Sequence, residues 1–275
     1  MANSKKPTNH YLTNYFPRTV RQQTPLGRAY KDPTDESEHP FLALSVTTIL
    51  GHVLNKGQGF DNWLKNNGHH ADVIRDYKAH LGTAVHILCE HLLNDRQIAL
   101  EDIADCTQRF LSDADIQEGG GYSVVERNVR LYLESFCAWY DDNEVETWDT
   151  ELELFDTNVP YAGTVDFIGL IDGVPSILDI KTGTEVHSHE YQLVAYGLLH
   201  NYMFPKNKIE KLYTLYIKCG YRIKPTYKMS EVSWDLADDW KRILRLGLNI
   251  YGKNGAWVMP KRYEPRKKFK LKKRS

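Results

Sequence analysis

In the stretch GTVDFIGLIDGVPSILDIKTG, residues 163–183, two aspartates and a lysine stand where they could meet. Asp172-Gly173 between two apolar runs is the pattern of a two-residue β-hairpin turn with positive φ at both positions. Such a turn sets the register and places Asp166 opposite Asp179, in a pair of the closer, non-hydrogen-bonded kind. Leu170–Pro175 falls in the same kind of pair, where the missing proline N–H costs no ladder bond. Strand alternation puts Asp179 and Lys181 on one face, and Asp166 joins them across the ladder. That face also carries Ile168, Leu170 and Ile177, and the other carries Phe167, Leu178 and Ile180, so the hairpin reads as central and buried. Facing like charges are destabilising, and buried carboxylates in one place require a proton or a cation. Lys181 offsets one charge and a divalent metal offsets both, with oxygen donors favouring Mg²⁺ or Mn²⁺ over zinc. Without a metal, the same residues read as a Lys–Asp pair beside a protonated partner. Of three Asp-x-Lys matches (Asp76–Lys78, Asp179–Lys181 and Asp239–Lys241), only the second lies in a strand pattern.

The elements that must position these groups follow from periodicity. Residues 1–40 are polar and hold Pro7, Pro17, Pro25, Pro33 and Pro40, which predicts an irregular arm. Order is expected from residue 41. Helices are predicted over 59–67, 71–93, 99–112 and 123–142, with EGGGY at 118–122 as a mobile connection. In the second of these, His86 and Glu90 are four apart and share a helix face. The period then changes. Strands are expected over 147–155, 161–171, 174–182 and 210–220, with a further one over 222–229, and helices over 188–203 and 233–252. The sequence predicts an α/β (α+β) domain, with a mixed central sheet flanked by helices and an added N-terminal helical part. Its divisions are a basic arm over 1–40, a main domain over 41–260 (helical over 41–142, sheet and helices over 143–260) and a basic tail over 261–275.

Of 275 residues, 26% are charged and the net charge is −1, but the charge is segregated. Residues 261–274 hold nine Lys/Arg and one Glu, and residues 1–31 hold six Lys/Arg and no acid. The body between them is acidic. Basic tails of this kind neutralise nucleic-acid phosphates, or are simply solvated. No run of about 18 apolar residues exists, so no membrane span is expected. No secretory h-region opens the chain. Cys89, Cys106, Cys137 and Cys219 form no CxxC pair, which argues against a zinc site and for a reducing, intracellular setting.

Four motifs in order resemble the RecB-like branch of the PD-(D/E)XK nuclease superfamily. They are GTAVHILCE at 82–90, YAGTVD at 161–166, ILDIKTG at 177–183 and YQLVAY at 191–196. SVTTIL at 45–50 further resembles the opening of the mitochondrial genome maintenance exonuclease group and its phage relatives. The resemblance implies a restriction-endonuclease-like fold and a Mg²⁺ or Mn²⁺ ion bound by Asp166, Asp179, the Ile180 carbonyl and His86. Lys181 would orient or activate the attacking water. Glu90, Thr182, Gln192 and Tyr196 would brace the site or hold the DNA backbone. Relatives with an iron–sulphur cluster hold it through four cysteines, three near the C-terminus. Only Cys219 lies past residue 137, so no cluster is expected.

The reading that follows is a metal-dependent DNA exonuclease favouring single strands or ends, acting in replication, recombination or repair. Its alternatives are a structure-specific endonuclease and a non-cleaving DNA-binding protein with a nuclease-like fold. The setting implied is the cytoplasm of a bacterial or phage-infected cell, or alternatively the mitochondrion. His69, His70, His187 and His189 read as surface residues. Glu151 and Glu153 alternate on the strand beside the hairpin, where a solvated face is expected and a metal ligand is the alternative. Trp63 and Trp148 read as packing residues that could instead stack unpaired bases.

Overall fold

The computed structural model describes residues 19–24, 27–32, 34–36, 41–54, 57–218 and 226–251. The basic tail, Cys219 and most of the N-terminal arm lie outside the described residues. The elements in chain order are β1 (Val20–Thr24), β2 (Gly27–Lys31), β3 (Leu42–Ser45), α1 (Val46–Val53), α2 (Gln58–Asn67), α3 (His70–Leu93), α4 (Leu100–Phe110), α5 (Asp113–Glu118) and α6 (Tyr122–Asp142). They continue with β4 (Val145–Leu154), β5 (Tyr161–Ile171), β6 (Val174–Lys181), α7 (His187–Met203), β7 (Lys211–Lys218), β8 (Thr226–Glu231), a 3₁₀ turn at Trp234–Leu236 and α8 (Ala237–Tyr251). The expected class holds: a mixed sheet flanked by helices on both faces.

The sheet runs β1-β2-β3-β5-β6-β7-β8, with β4 also paired to β5. The β3–β5 and β6–β7 pairs are parallel and the others antiparallel. The β5–β6 turn has positive φ at both Asp172 (51°) and Gly173 (77°), and the register pairs Leu170 with Pro175 as the turn type demands.

Apolar alternation along the strands builds one core on each face. One joins Ile168, Ile177 and Val165 to Ile49, Leu193, Leu199 and Trp240, from α1, α7 and α8. The other joins Phe167, Leu178 and Ile180 to Val85, Leu88, Val129 and Phe136, from α3 and α6. Each fully buried aliphatic or aromatic side chain contributes on the order of 1.5–3 kcal/mol, so the two apolar layers clamp the β5–β6 hairpin between them. Among the described residues, no helix is long and apolar enough to cross a membrane.

Two elements depart from expectation. Part of the arm read as irregular forms the β1–β2 hairpin, which extends the sheet through β3. Only Ala29 and Tyr30 of its ten residues are buried, so it carries too little apolar alternation to be read as strand. The segment before EGGGY is a helix of its own, α5. Its signal was present in the sequence: Ser112 and Asp115 form a capping box, with the Asp115 carboxylate accepting from the Ser112 N–H (2.8 Å).

Candidate metal centre

The β5–β6 ladder ends at Phe167–Leu178, one rung short of Asp166–Asp179. Rungs alternate in type along an antiparallel pair, so a continuing ladder would bond the Ile180 N–H to the Val165 carbonyl. Instead the Ile180 N–H donates to Asp166 Oδ2 at 2.7 Å. A side-chain carboxylate takes over the backbone acceptor where the strands part.

The faces also change there. Val165 and Ile168 belong to the same core, so side-chain alternation on β5 slips by one residue between them. Asp166 consequently turns toward α3, where His86 Nδ1 lies 3.5 Å from its Oδ2. Asp179 and Lys181 stay on the α7 side. The single shared face expected for Asp166, Asp179 and Lys181 is therefore corrected. The two carboxylates approach from opposite sides of the opened ladder, each within the field of the other.

On β4 a residue expected to be solvated joins the site. The β4–β5 register pairs Thr150 with Phe167 and Leu152 with Val165, which leaves Glu151 opposite Asp166. Glu151 has φ 50°, a left-handed conformation unusual for a side chain of this kind. One donor atom each from His86, Glu151 and Asp166 lies within 4.8 Å of the others. Glu151 is the functional candidate that strand periodicity placed on a solvated face. Alternation does expose its position, but the backbone kink that turns it inward has no local signature in the sequence.

Helix α3 is held in place to deliver His86. Val85, Leu88 and Cys89 bury one face in the core, and Asn94, just past the helix, donates to both the Glu90 carbonyl (2.9 Å) and Thr150 Oγ1 on β4 (3.0 Å). Burial raises the carboxyl groups of Asp149 and Glu151, and the nearby Glu90 charge adds to it.

On the other side, Lys181 Nζ contacts Asp179 Oδ2, and Gln192 ties the pair together. Gln192 Nε2 donates to Asp179 Oδ1 (3.2 Å), its Oε1 accepts from Lys181 (3.4 Å), and it bonds the Tyr196 hydroxyl at 3.0 Å. Gln192 and Tyr196 are both buried, so they brace the site and do not present themselves to a DNA backbone. Gly163 makes room for Tyr196: a Cβ there would stand 2.1 Å from the ring. Thr182 follows Lys181, with its carbonyl accepting from the Tyr132 hydroxyl (3.1 Å) and its hydroxyl oxygen against Gly82.

The electrostatics of the site reflect a surplus of buried anion. Burial, reinforced by Asp166, raises Asp179 to about 6 against the pull of Lys181. Burial and Asp166 raise Glu151 to about 7. Asp166 itself is lowered: burial opposes its charge, but His86, Lys181 and the Ile180 N–H together outweigh burial. Burial likewise opposes protonation of His86, and the Asp166 charge and hydrogen bond overcome it, so its pKa is raised. Buried carboxylates whose charge is disfavoured by burial and by one another, beside one imidazole, form a donor set that fits Mg²⁺ or Mn²⁺.

The remaining candidates divide. His189, expected on the surface, is half-buried, with Nδ1 2.9 Å from the Tyr216 hydroxyl. Burial and then the Lys181 charge lower its pKa to about 4. His69, His187 and His70 are exposed, the last paired with Glu118. Glu153 is engaged by Thr19 and by Arg21 (2.9 Å). Trp63 stacks on Phe60 at 5.7 Å, and Trp148 donates to Glu146 (3.0 Å).

No family model matches the chain, and no curated protein matches it. Among solved structures, a presumed exonuclease from Eubacterium rectale superposes with a TM-score of 0.41, covering 70% of this chain and 76% of that one at 12% identity. A likeness that distant assigns neither a family nor an activity, and the functional reading rests on the side chains.

Proposed function

We propose that this protein is a metal-dependent deoxyribonuclease of the PD-(D/E)XK type, an exonuclease favouring single-stranded DNA or DNA ends in replication, recombination or repair. The observation that carries the proposal is the convergence of His86, Glu151 and Asp166 on one point within 4.8 Å, beside a braced Asp179–Lys181 pair. His86, Glu151 and Asp166 would hold the ion, and Asp179 would complete the set from the neighbouring strand. Glu151 joins the four ligands implied by resemblance, Asp166, Asp179, His86 and the Ile180 carbonyl, and the Ile180 N–H steadies the Asp166 carboxylate.

When bound, a divalent cation would relieve charge on the phosphate as a Lewis acid and make hydroxide accessible near neutral pH. Lys181 adds a fixed ammonium to stabilise charge developing on the phosphate. Gln192 keeps that ammonium in place, since its oxygen accepts from Lys181 while its nitrogen holds Asp179. His189 stays neutral near Lys181 and adds no competing positive charge. The set contains no nucleophile that must be covalently modified, which suits direct attack by water.

The test is digestion of end-labelled DNA, linear and circular, single- and double-stranded, with Mn²⁺, Mg²⁺ or EDTA. Linear strands should be degraded, circular single strands spared, and EDTA should stop the reaction. Lys181→Ala should lose at least about 100-fold in rate, the scale of one electrostatic contact to the transition state, with its melting temperature near wild type. Cutting of circles would replace the exonuclease reading with an endonuclease. Binding without any cutting would leave only the non-cleaving alternative.

A further inference from the structure

The N-terminal hairpin brings a cation to the edge of this site. Arg21 on β1 donates through Nε to Glu153 Oε1 (2.9 Å) and through its terminal nitrogen to Thr164 Oγ1 (3.0 Å). Glu153 and Thr164 face each other across the β4–β5 ladder. They are two residues along from Glu151 and Asp166, which face each other in the same register. The two residues that hold the guanidinium therefore stand one step, about 6.8 Å along the strands, from the candidate ligands. That step is comparable with the separation of neighbouring phosphates along one nucleic-acid strand. The two bonds engage two of five guanidinium N–H donors, and 44% of the side chain is exposed. Tyr30, opposite Arg21 on β2, steadies Thr164 through a 3.1 Å contact with its hydroxyl.

We propose that Arg21 binds the phosphate next to the scissile one, so that the β1–β2 hairpin is a substrate-binding element that sets the register of the strand over the metal centre. The inference rests on the nuclease reading and adds a residue and an element that the sequence motifs do not include. Glu153 and Thr164 fix the fork in advance. A planar fork fits a phosphate in two-bond geometry, which lysine does not reproduce. A cation is needed at this edge because Glu151, Asp166, Glu90 and Asp149 crowd the approach with negative charge.

Two measurements on the full chain test this. The first is Mn²⁺-dependent cleavage of a 5′-fluorescein DNA oligonucleotide. The second is binding of the same oligonucleotide in Ca²⁺ across a salt series. Arg21→Ala and Arg21→Lys should each raise KM roughly ten-fold or more, with kcat falling less than KM rises. Each phosphate contact removed should lower the salt slope of binding by about one for Arg21→Ala. Arg28→Ala, which removes the same charge from the same hairpin two rungs away, should do neither. Glu153→Gln separates a binding role from a structural one, because it removes the partner and keeps the guanidinium. It should bind DNA at least as tightly as wild type. An unchanged KM and salt slope in Arg21→Ala would overturn the proposal. So would a Glu153→Gln variant that reproduces the Arg21→Ala defect. Arg21-dependent binding by a wild-type protein that cuts nothing would sustain the phosphate site while sinking the nuclease reading.

Discussion

At Glu151 a ligand candidate is held in a backbone conformation that disfavours any residue with a Cβ, at a cost on the order of 1–3 kcal/mol. Glycine relieves that cost and alanine does not. Glu151→Gly should therefore melt at a higher temperature than Glu151→Ala, while both lose binding of Mn²⁺ measured by calorimetry. Equal melting temperatures would show that the kink carries no strain. Asp179 makes a second residue-scale case. Its charge is shared between Lys181 and Gln192, so Asp179→Ala should abolish cleavage and leave Lys181 without its carboxylate, measurable as lost activity with an intact circular-dichroism spectrum. The coming together of Asp166, Asp179 and Lys181 was legible from residue type and spacing because a two-residue turn leaves little freedom in register. The facing of Asp166 was not, since the slip in alternation before Ile168 depends on a carboxylate replacing a backbone acceptor, which no pattern of polar and apolar residues encodes.

Among the elements, the opened end of the β5–β6 ladder and the α7 brace are coupled through Gly163 and Tyr196. Any side chain at 163 must displace the ring that supports Gln192. Gly163→Ala should cost about 1–3 kcal/mol, the usual range for overpacking, and reduce cleavage with it. In a Tyr196→Leu background the same substitution should cost less, which a double-mutant cycle of denaturant unfolding would measure. The Ile180 amide offers a separate readout. Its acceptor is a carboxylate oxygen that a cation would engage, so its hydrogen–deuterium exchange should change on addition of Mg²⁺ while that of Leu178, on the last ladder rung, stays constant. Helices α3, α6, α7 and α8 and strands β5 to β7 followed from periodicity because each packs an apolar face into one of the two cores, and β4 followed from its alternation around Leu152 and Leu154. The β1–β2 hairpin did not, because an edge hairpin held by Arg21, Tyr30 and Thr24 contacts exposes most of its side chains.

For the molecule as a whole, stability should change little with pH between 4 and 6.5 and fall above that. His189 and His200 are lowered by burial to about 4, so they favour the folded state above their ordinary value of 6.5 and oppose it as pH falls toward 4. Asp179 and Glu151, raised to about 6 and about 7, act in the opposite sense, and between pH 4 and 6.5 the two groups offset each other. Above pH 6.5 the histidines lowered by burial no longer titrate, whereas Glu151 and the raised His86 still lose protons that the folded state prefers to keep. Metal-free protein should therefore lose melting temperature from pH 6.5 to 8, and Mn²⁺ should reverse the loss because the ion takes the place of the protons. A melting temperature that rises over this interval without metal would contradict the charge distribution described. The arrangement has one more consequence. His86 arrives on a helix of one layer and Gln192 on a helix of the other, so neither half alone assembles the centre. On the proposed nuclease reading, a nascent or damaged copy with a single layer docked would be inert, and nucleic acid would meet a cutting edge only on finished molecules.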